Sequence, residues 1–475
     1  MSGKRGGFGL AVAGGEVTAG AGRRAPPAEA PDGLPPGQRR WAVLTVALAI
    51  LMAVLDSAIA NVALPTIALD LHASPAESIW VVNAYQLAVT ISLLPLASLG
   101  EIIGYRRVYQ TGLAVFTLAS LACALSGSLT GLTLARVLQG FGAAGIMSVN
   151  TALLRFIYPQ HGLGRGLAFN TVIVAMAAAL GPTVAAAILS AASWPWLFAV
   201  NGPIGLLAFL IALCALPSTP RAPHRFDVVS AGLSALTFGL LVTAIGSFGH
   251  GLGWRVGLPG LAASVAFGAV LVRRQLAQTA PLLPVDLLRI PVFALSACTS
   301  VFSFAAQSLA LVSLPFLLQT GLGHGPVATG LLMTPWPLGV ALAAPVAGRL
   351  SDRTSAGMLG GVGLAALTVG LLCLCAMPAA PTAMDLIWRT ALCGLGFGTF
   401  QAPNNRAMLT AAPRHRSGGA SGMLGTSRLL GQTTGAALVA LVFGLAPGHG
   451  PEAALVVAAG FAVVAAPLSA LRARG

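Results

Sequence analysis

Charge is scarce in this chain. Of 475 residues only 8% are charged, against roughly 25% in a soluble domain. That excludes a soluble enzyme. It does not describe a disordered chain either, since disorder goes with low hydrophobicity. Lysine is almost absent: Lys4 is the one lysine among 26 basic residues, and twelve acids leave a net charge of +14. Aromatics reach only 6% and do not interleave with a basic face, so the surplus does not indicate a nucleic-acid partner. The six cysteines form no CxxC, and no two of the seven histidines stand four apart. Neither a disulfide framework nor a zinc or helical metal site is indicated. No metal and no cofactor is expected.

What the chain does contain is hydrocarbon: 56% of residues are apolar and the mean hydropathy is +0.86. In lipid every backbone group must pair internally, which leaves helices or closed barrels. A barrel needs alternating polar positions, whereas this sequence runs in long apolar stretches. An all-α integral membrane protein is expected. Fourteen such stretches lie between residues 41 and 471, each near the roughly 20 residues a membrane crossing needs.

The basic residues test that count. With the N-terminus inside, 22 of the 26 fall in inner segments and one, Arg255, in an outer loop. Arg136, Arg389 and Arg428 fall inside apolar runs. A missed or invented helix would scramble every later loop, so the asymmetry favours fourteen spans with both termini cytoplasmic. Residues 1–40 read as a disordered basic tail. Residues 41–216 read as a six-helix bundle, 217–275 as two extra transmembrane helices with their loops, and 276–475 as a second six-helix bundle.

Three local patterns recur eight helices apart. Glu101 with Arg106 and Arg107 after the second span is echoed by Asp352 and Arg353 after the tenth. Arg136, Gly140 and Gly142 in the fourth are echoed by Arg389, Gly394 and Gly396 in the twelfth. Gly181 and Pro182 in the fifth are echoed by Gly431 in the thirteenth. Two similar bundles can rock about a site near the membrane midplane. The run Gly140 to Gly145 matches GxGxxG, but no strand precedes it; it reads as a small-residue packing face.

One acid, Asp56, lies deep in a span. An ionised carboxylate there costs several kcal/mol unless paired. Asp56 is therefore either a proton carrier or cation site, or a structural carboxylate held permanently by an arginine or by hydroxyls. Arg136 is either the group that tunes such a carboxylate or a helix–helix anchor. Gly181 and Pro182 suit a bend or a tight seal between bundles, although membrane helices also tolerate both residues. Asn61, Gln139, Asn150, Asn170, Gln307 and Gln401 are candidate cavity residues. No Walker-type phosphate loop is present, and no cluster of catalytic acids and histidines marks an enzyme.

The segment Leu55-Asp56-Ser57-Ala58-Ile59-Ala60-Asn61-Val62-Ala63-Leu64-Pro65 resembles the first-helix signature of the fourteen-helix drug:proton antiporters of the major facilitator superfamily. Leu99-Gly100-Glu101 through Arg107 resembles the superfamily's loop motif, Leu134 through Gly140 its fourth-helix motif, and Gly181-Pro182 the core of the antiporter motif. The resemblance implies the major-facilitator fold and proton-driven export of a small amphipathic compound across the cell membrane, as in multidrug efflux and antibiotic resistance. It implies proton coupling by Asp56 and Arg136. It also implies a conformational latch of Glu101, Gly104, Arg106 and Arg107, with Asp352 and Arg353 as counterparts. The expected partners are a small-molecule substrate, protons and the bilayer, with the chain acting as a monomer. A proton-linked importer of a nutrient or siderophore in the same fold is the alternative, and a channel a more distant one.

Overall fold

Proline opens the first helix: Pro36 sits in its first turn, where a missing N–H has no partner to lose. The helix then runs unbroken through Pro65 to Asp70. The computed structural model describes residues 33–222, 225–249, 253–278, 281–378, 380–413, 416–446 and 448–472. Among these there are helices and no strands. Residues 1–32 of the expected tail lie outside the described residues. Its last residues do not belong to a tail, because Pro36 through Arg40 are already helical and Leu34 N–H bonds to the carbonyl of Ile157 at 3.1 Å.

The helices are α1 (Pro36–Asp70), α2 (Pro75–Ser78), α3 (Trp80–Ile103), α4 (Tyr105–Ala124), α5 (Leu129–Ile157), α6 (Leu163–Ala191), α7 (Trp196–Ala199) and α8 (Asn201–Ala215) in the first half. Next come α9 (Val228–Gly249) and α10 (Gly253–Leu276). The second half holds α11 (Pro291–Phe316), α12 (Pro326–Met333), α13 (Pro335–Leu350), α14 (Ala356–Cys375), α15 (Ala383–Ala411), α16 (Ser417–Leu445) and α17 (Gly450–Leu471). Among the described residues twelve helical segments are long and apolar enough to cross a membrane. The helices α4 and α15 are as long as several of those twelve but less apolar. Arg106, Arg107 and Gln110 dilute α4, and Arg389, Gln401, Asn404 and Asn405 dilute α15.

The two halves repeat one packing pattern. α3 and α4 pack on α5, as α13 and α14 pack on α15. α1 packs on α6 and α8, as α11 packs on α16 and α17. Glycines explain the match. A methyl group on Gly142 would stand 2.4 Å from the Phe116 nitrogen of α4, and one on Gly396 would stand 2.4 Å from the Leu367 nitrogen of α14. Gly140 meets the Tyr85 carbonyl of α3, and Gly394 the Trp336 carbonyl of α13. Each glycine lets two backbones touch, the device membrane helices use where no hydrophobic force drives association.

The halves meet along three seams: α1 with α11, α3 with α16, and α6 with α12. The hairpin α9–α10 lies outside them, with α9 against α3 and α16 and α10 against α9. Its base is clasped. Asp227 accepts from Ser230 N–H at 3.0 Å, from Gln278 at 2.6 Å and from Arg274 at 3.1 Å. Partial burial raises the Asp227 carboxyl, but these hydrogen bonds outweigh it and hold the group well below the usual carboxylate range.

Candidate functional site

Asp56, halfway along α1, is 2% exposed, and Arg136 of α5 is 1% exposed. They form an ion pair inside the first half. Asp56 Oδ1 also accepts from Gln139 Nε2 at 2.8 Å and from Asn201 Nδ2 at 2.9 Å. Every polar group bonded to this carboxyl is a donor.

Arg136 has further partners beyond Asp56. Nη1 donates to Gln139 Oε1 at 2.5 Å and Nε to the Val81 carbonyl at 2.9 Å. Its guanidinium carbon lies 4.3 Å from the Tyr85 ring centre and 5.5 Å from that of Phe198. Gln139 in turn donates to Ser120 Oγ of α4 at 2.8 Å. The cluster thus draws on α1, α3, α4, α5, α7 and α8. A pair this deep is expensive to desolvate and stays only where hydrogen bonds complete it, which these partners do.

The sequence marked Asp56, Arg136 and Gln139. It missed Asn201, Ser120, Tyr85 and the Val81 carbonyl. An asparagine within the apolar run 196–216 was a signal for the first; nothing local distinguishes the others. Gln139, a candidate cavity residue one turn from Arg136, joins the ion-pair cluster. Asp56 itself is buried away from any open cavity. Its partners enclose it from within its own half. A cavity of about 560 Å³ lies elsewhere, lined by Ser74, Glu77, Phe316, Thr320, Phe443 and Glu452.

The remaining candidates separate into groups. Gly181 abuts α1, where an added methyl would stand 2.4 Å from the Ala58 Cβ. Pro182 abuts α12, its carbonyl 2.4 Å from where a Gly330 Cβ would be. Thr183 and Thr334 share a hydrogen bond across the same seam at 2.8 Å. Asn150 donates to Asn170 at 2.9 Å, tying α5 to α6. Asn61 Oδ1 is buried without a partner. Gln307 and Gln401 are half-buried. Arg389 pairs with Asp385 one turn away at 2.9 Å, near the start of α15.

Around the α3–α4 turn, Gly104 takes φ +100°, a conformation that favours glycine. The Glu101 carbonyl accepts from Ala222 N–H at 2.7 Å, Tyr105 N–H donates to Thr219 at 2.9 Å, and Arg106 donates to the Leu213 carbonyl. Arg107 and Arg353 are exposed. Asp352 pairs with Arg406. The bond of Arg106 and the ion pair of Asp352 each stay within one half, whereas Tyr105 and Glu101 bond Thr219 and Ala222 of the segment that leads to α9.

Residues 46–436 and 295–473 match the Major Facilitator Superfamily. The chain is 58% identical to an uncharacterized transporter, YebQ, of Escherichia coli strain K12, over 93% of this chain and 97% of that one. It is 32% identical to the multidrug resistance protein Stp of Mycobacterium tuberculosis, over 84% of this chain and 75% of that one. Among solved structures it is similar to a bacterial homolog of the human lysosomal transporter Spinster, in an inward-facing and unoccupied conformation. The TM-score there is 0.67 and the identity 15%, over 93% of this chain and 98% of that one.

Proposed function

Because the chain belongs to the Major Facilitator Superfamily, and is therefore a membrane transporter and not an enzyme, we propose that it is a proton-coupled exporter of small amphipathic compounds. The buried Asp56–Arg136 pair carries this reading. Protonation of Asp56 removes the charge that Arg136 answers. Arg136 keeps the Val81 carbonyl, Gln139 Oε1 and the Tyr85 face, so it retains partners after letting go. A proton on Oδ2 sets donor against donor at Arg136, and although Oδ1 still accepts from Gln139 and Asn201, the ion pair that ties α1 to α5 is lost. Proton exchange belongs to a conformation in which those helices part and the carboxyl meets water. The halves rock along the three seams, exposing the space between them to alternate sides.

In this reading α4 and α15 cross the membrane with the twelve apolar segments, giving fourteen spans in the cell membrane with both termini cytoplasmic. The placement of 22 basic residues on one side supports it. The turns at Gly104 and Asp352 serve as the latch, the first braced against the segment that leads to α9 and the second within its own half.

A drug-susceptibility panel in an efflux-deficient host tests export. The chain is expected to protect against at least one amphipathic compound, and inside-out vesicles are expected to accumulate that compound when a proton gradient is imposed. Asp56→Asn is expected to insert and to lose the gradient dependence. Protection against nothing on the panel, or gradient-driven uptake by right-side-out vesicles alone, contradicts export.

A further inference from the structure

Arg428 lies within α16, eleven residues past its start and seventeen before its end. At about 1.5 Å per residue the nearer end is some 16 Å away, beyond the reach of one side chain that would snorkel to it. The other deep arginine, Arg136, has Asp56, and Arg389 has Asp385. Arg428 has neither a hydrogen bond nor an ion pair among the described residues, and its Nε is buried without a partner. Among the described residues no spare anion lies at this depth, since Asp56, the deeply embedded acid, is already engaged. An uncompensated guanidinium in a transmembrane helix is costly and by default marks a functional site.

Its direction follows from its neighbours. Gly425 faces Leu93 of α3, and Gly431 faces Val301 and Phe304 of α11. Arg428 is three residues from each, which places it about 60° round the helix from both. It therefore points into the wedge between α3 of one half and α11 of the other, helices that both also touch α1. Gln432, one turn on, lies above Arg428 on this face. Its side-chain amide also makes no hydrogen bond among the described residues, while its backbone carbonyl is taken by Ser308. A guanidinium and an amide thus stand stacked, without hydrogen-bond partners among the described residues, where the two halves meet.

We propose that Arg428 and Gln432 form the subsite for an oxyanion, a carboxylate or sulfonate, carried on the apolar body of the transported compound. The planar guanidinium fork matches such a group with two parallel hydrogen bonds, and Gln432 supplies a further donor. The cargo provides the counter-charge the chain lacks. This rests on the transport reading above and narrows it to anionic amphipaths.

The test is equilibrium binding to the purified full-length protein in detergent, read by fluorescence polarisation. Dansylglycine, dansylamide and dansylcadaverine share a fluorophore and differ in charge: anionic, neutral and cationic. Dansylglycine is expected to bind at least about tenfold more tightly than dansylamide, as a hydrogen bond to a charged group provides. Arg428→Gln is expected to erase that preference, Arg428→Lys to keep part of it, and Gln432→Leu to reduce it, each variant showing a cooperative thermal transition. Equal affinities, no measurable binding of dansylglycine, or a preference that survives Arg428→Gln overturns the proposal. The wild-type comparison decides even where a variant fails to fold. Binding needs no proton gradient, so lost coupling with an intact anion preference would count against the exporter reading alone.

Discussion

Asn201, the first residue of α8, donates to the same Asp56 oxygen that Gln139 holds, at 2.9 and 2.8 Å. One carboxylate oxygen therefore ties α8 and α5 to α1, and the other takes Arg136. Replacing Asn201 with leucine leaves that oxygen one donor short in a dry setting, at a cost of about 1–3 kcal/mol. The thermal transition of purified protein is expected to fall by several degrees. An unchanged transition would mean that water or another group replaces the amide.

The shared glycine pattern makes a paired expectation. Gly142→Ala and Gly396→Ala each place a methyl 2.4 Å from a backbone nitrogen of the neighbouring helix, so the helices must part. Each is expected to destabilise by about 1–3 kcal/mol and to lower the yield of folded protein. Gly164→Ala, with nothing within 4 Å, is expected to be neutral or to stabilise by up to about 1 kcal/mol. Thermal unfolding of the three variants checks the contrast.

The α6–α12 seam can be locked. Thr183 and Thr334 share a hydrogen bond at 2.8 Å. In a background whose six native cysteines are replaced, Thr183→Cys with Thr334→Cys is expected to cross-link under mild oxidant. Transport is expected to stop and to return on reduction. Full transport by the cross-linked protein would mean that this seam does not open during the cycle.

The clasp at Asp227 carries a pH dependence. Its folded-state carboxyl sits below the usual range because of the Ser230, Gln278 and Arg274 hydrogen bonds. A depressed carboxylate contributes stability that is fully present above its unfolded value near 3.9 and is lost as pH falls through the folded value. Being partly solvated, the contribution is modest. The wild type is expected to lose more stability than Asp227→Asn between pH 5 and pH 3, and parallel melting curves would contradict it.

Local chemistry made some of this structure legible in the sequence. A deep Asp56 and Arg136 stand out because apolar surroundings expose any charge, and the echo of Gly140 and Gly142 in Gly394 and Gly396 marks contacts that both halves need. The partners that complete the site were hidden because they are tertiary. The Val81 carbonyl has no sequence signature, and Ser120 is one hydroxyl among many. Arg389 looks as embedded as Arg136 in a linear reading, yet one turn of helix brings it Asp385. The start of α1 was placed late because Arg39 and Arg40 mask the helical Pro36 before them. The unpartnered state of Arg428 needs every neighbour in place to be seen.

Charge removal from both members of the Asp56–Arg136 pair separates a coupling role from a structural one. Asp56→Asn alone strands a buried guanidinium, at about 3–5 kcal/mol, so lost transport in that variant could reflect damage. The double variant Asp56→Asn with Arg136→Gln carries no stranded charge and is expected to regain most of the wild-type thermal transition. Reconstituted in vesicles with an imposed pH gradient, it is expected to show no gradient-driven accumulation of substrate. Gradient-driven accumulation at the wild-type level in that charge-free protein would mean that Asp56 carries no proton and is simply a strut.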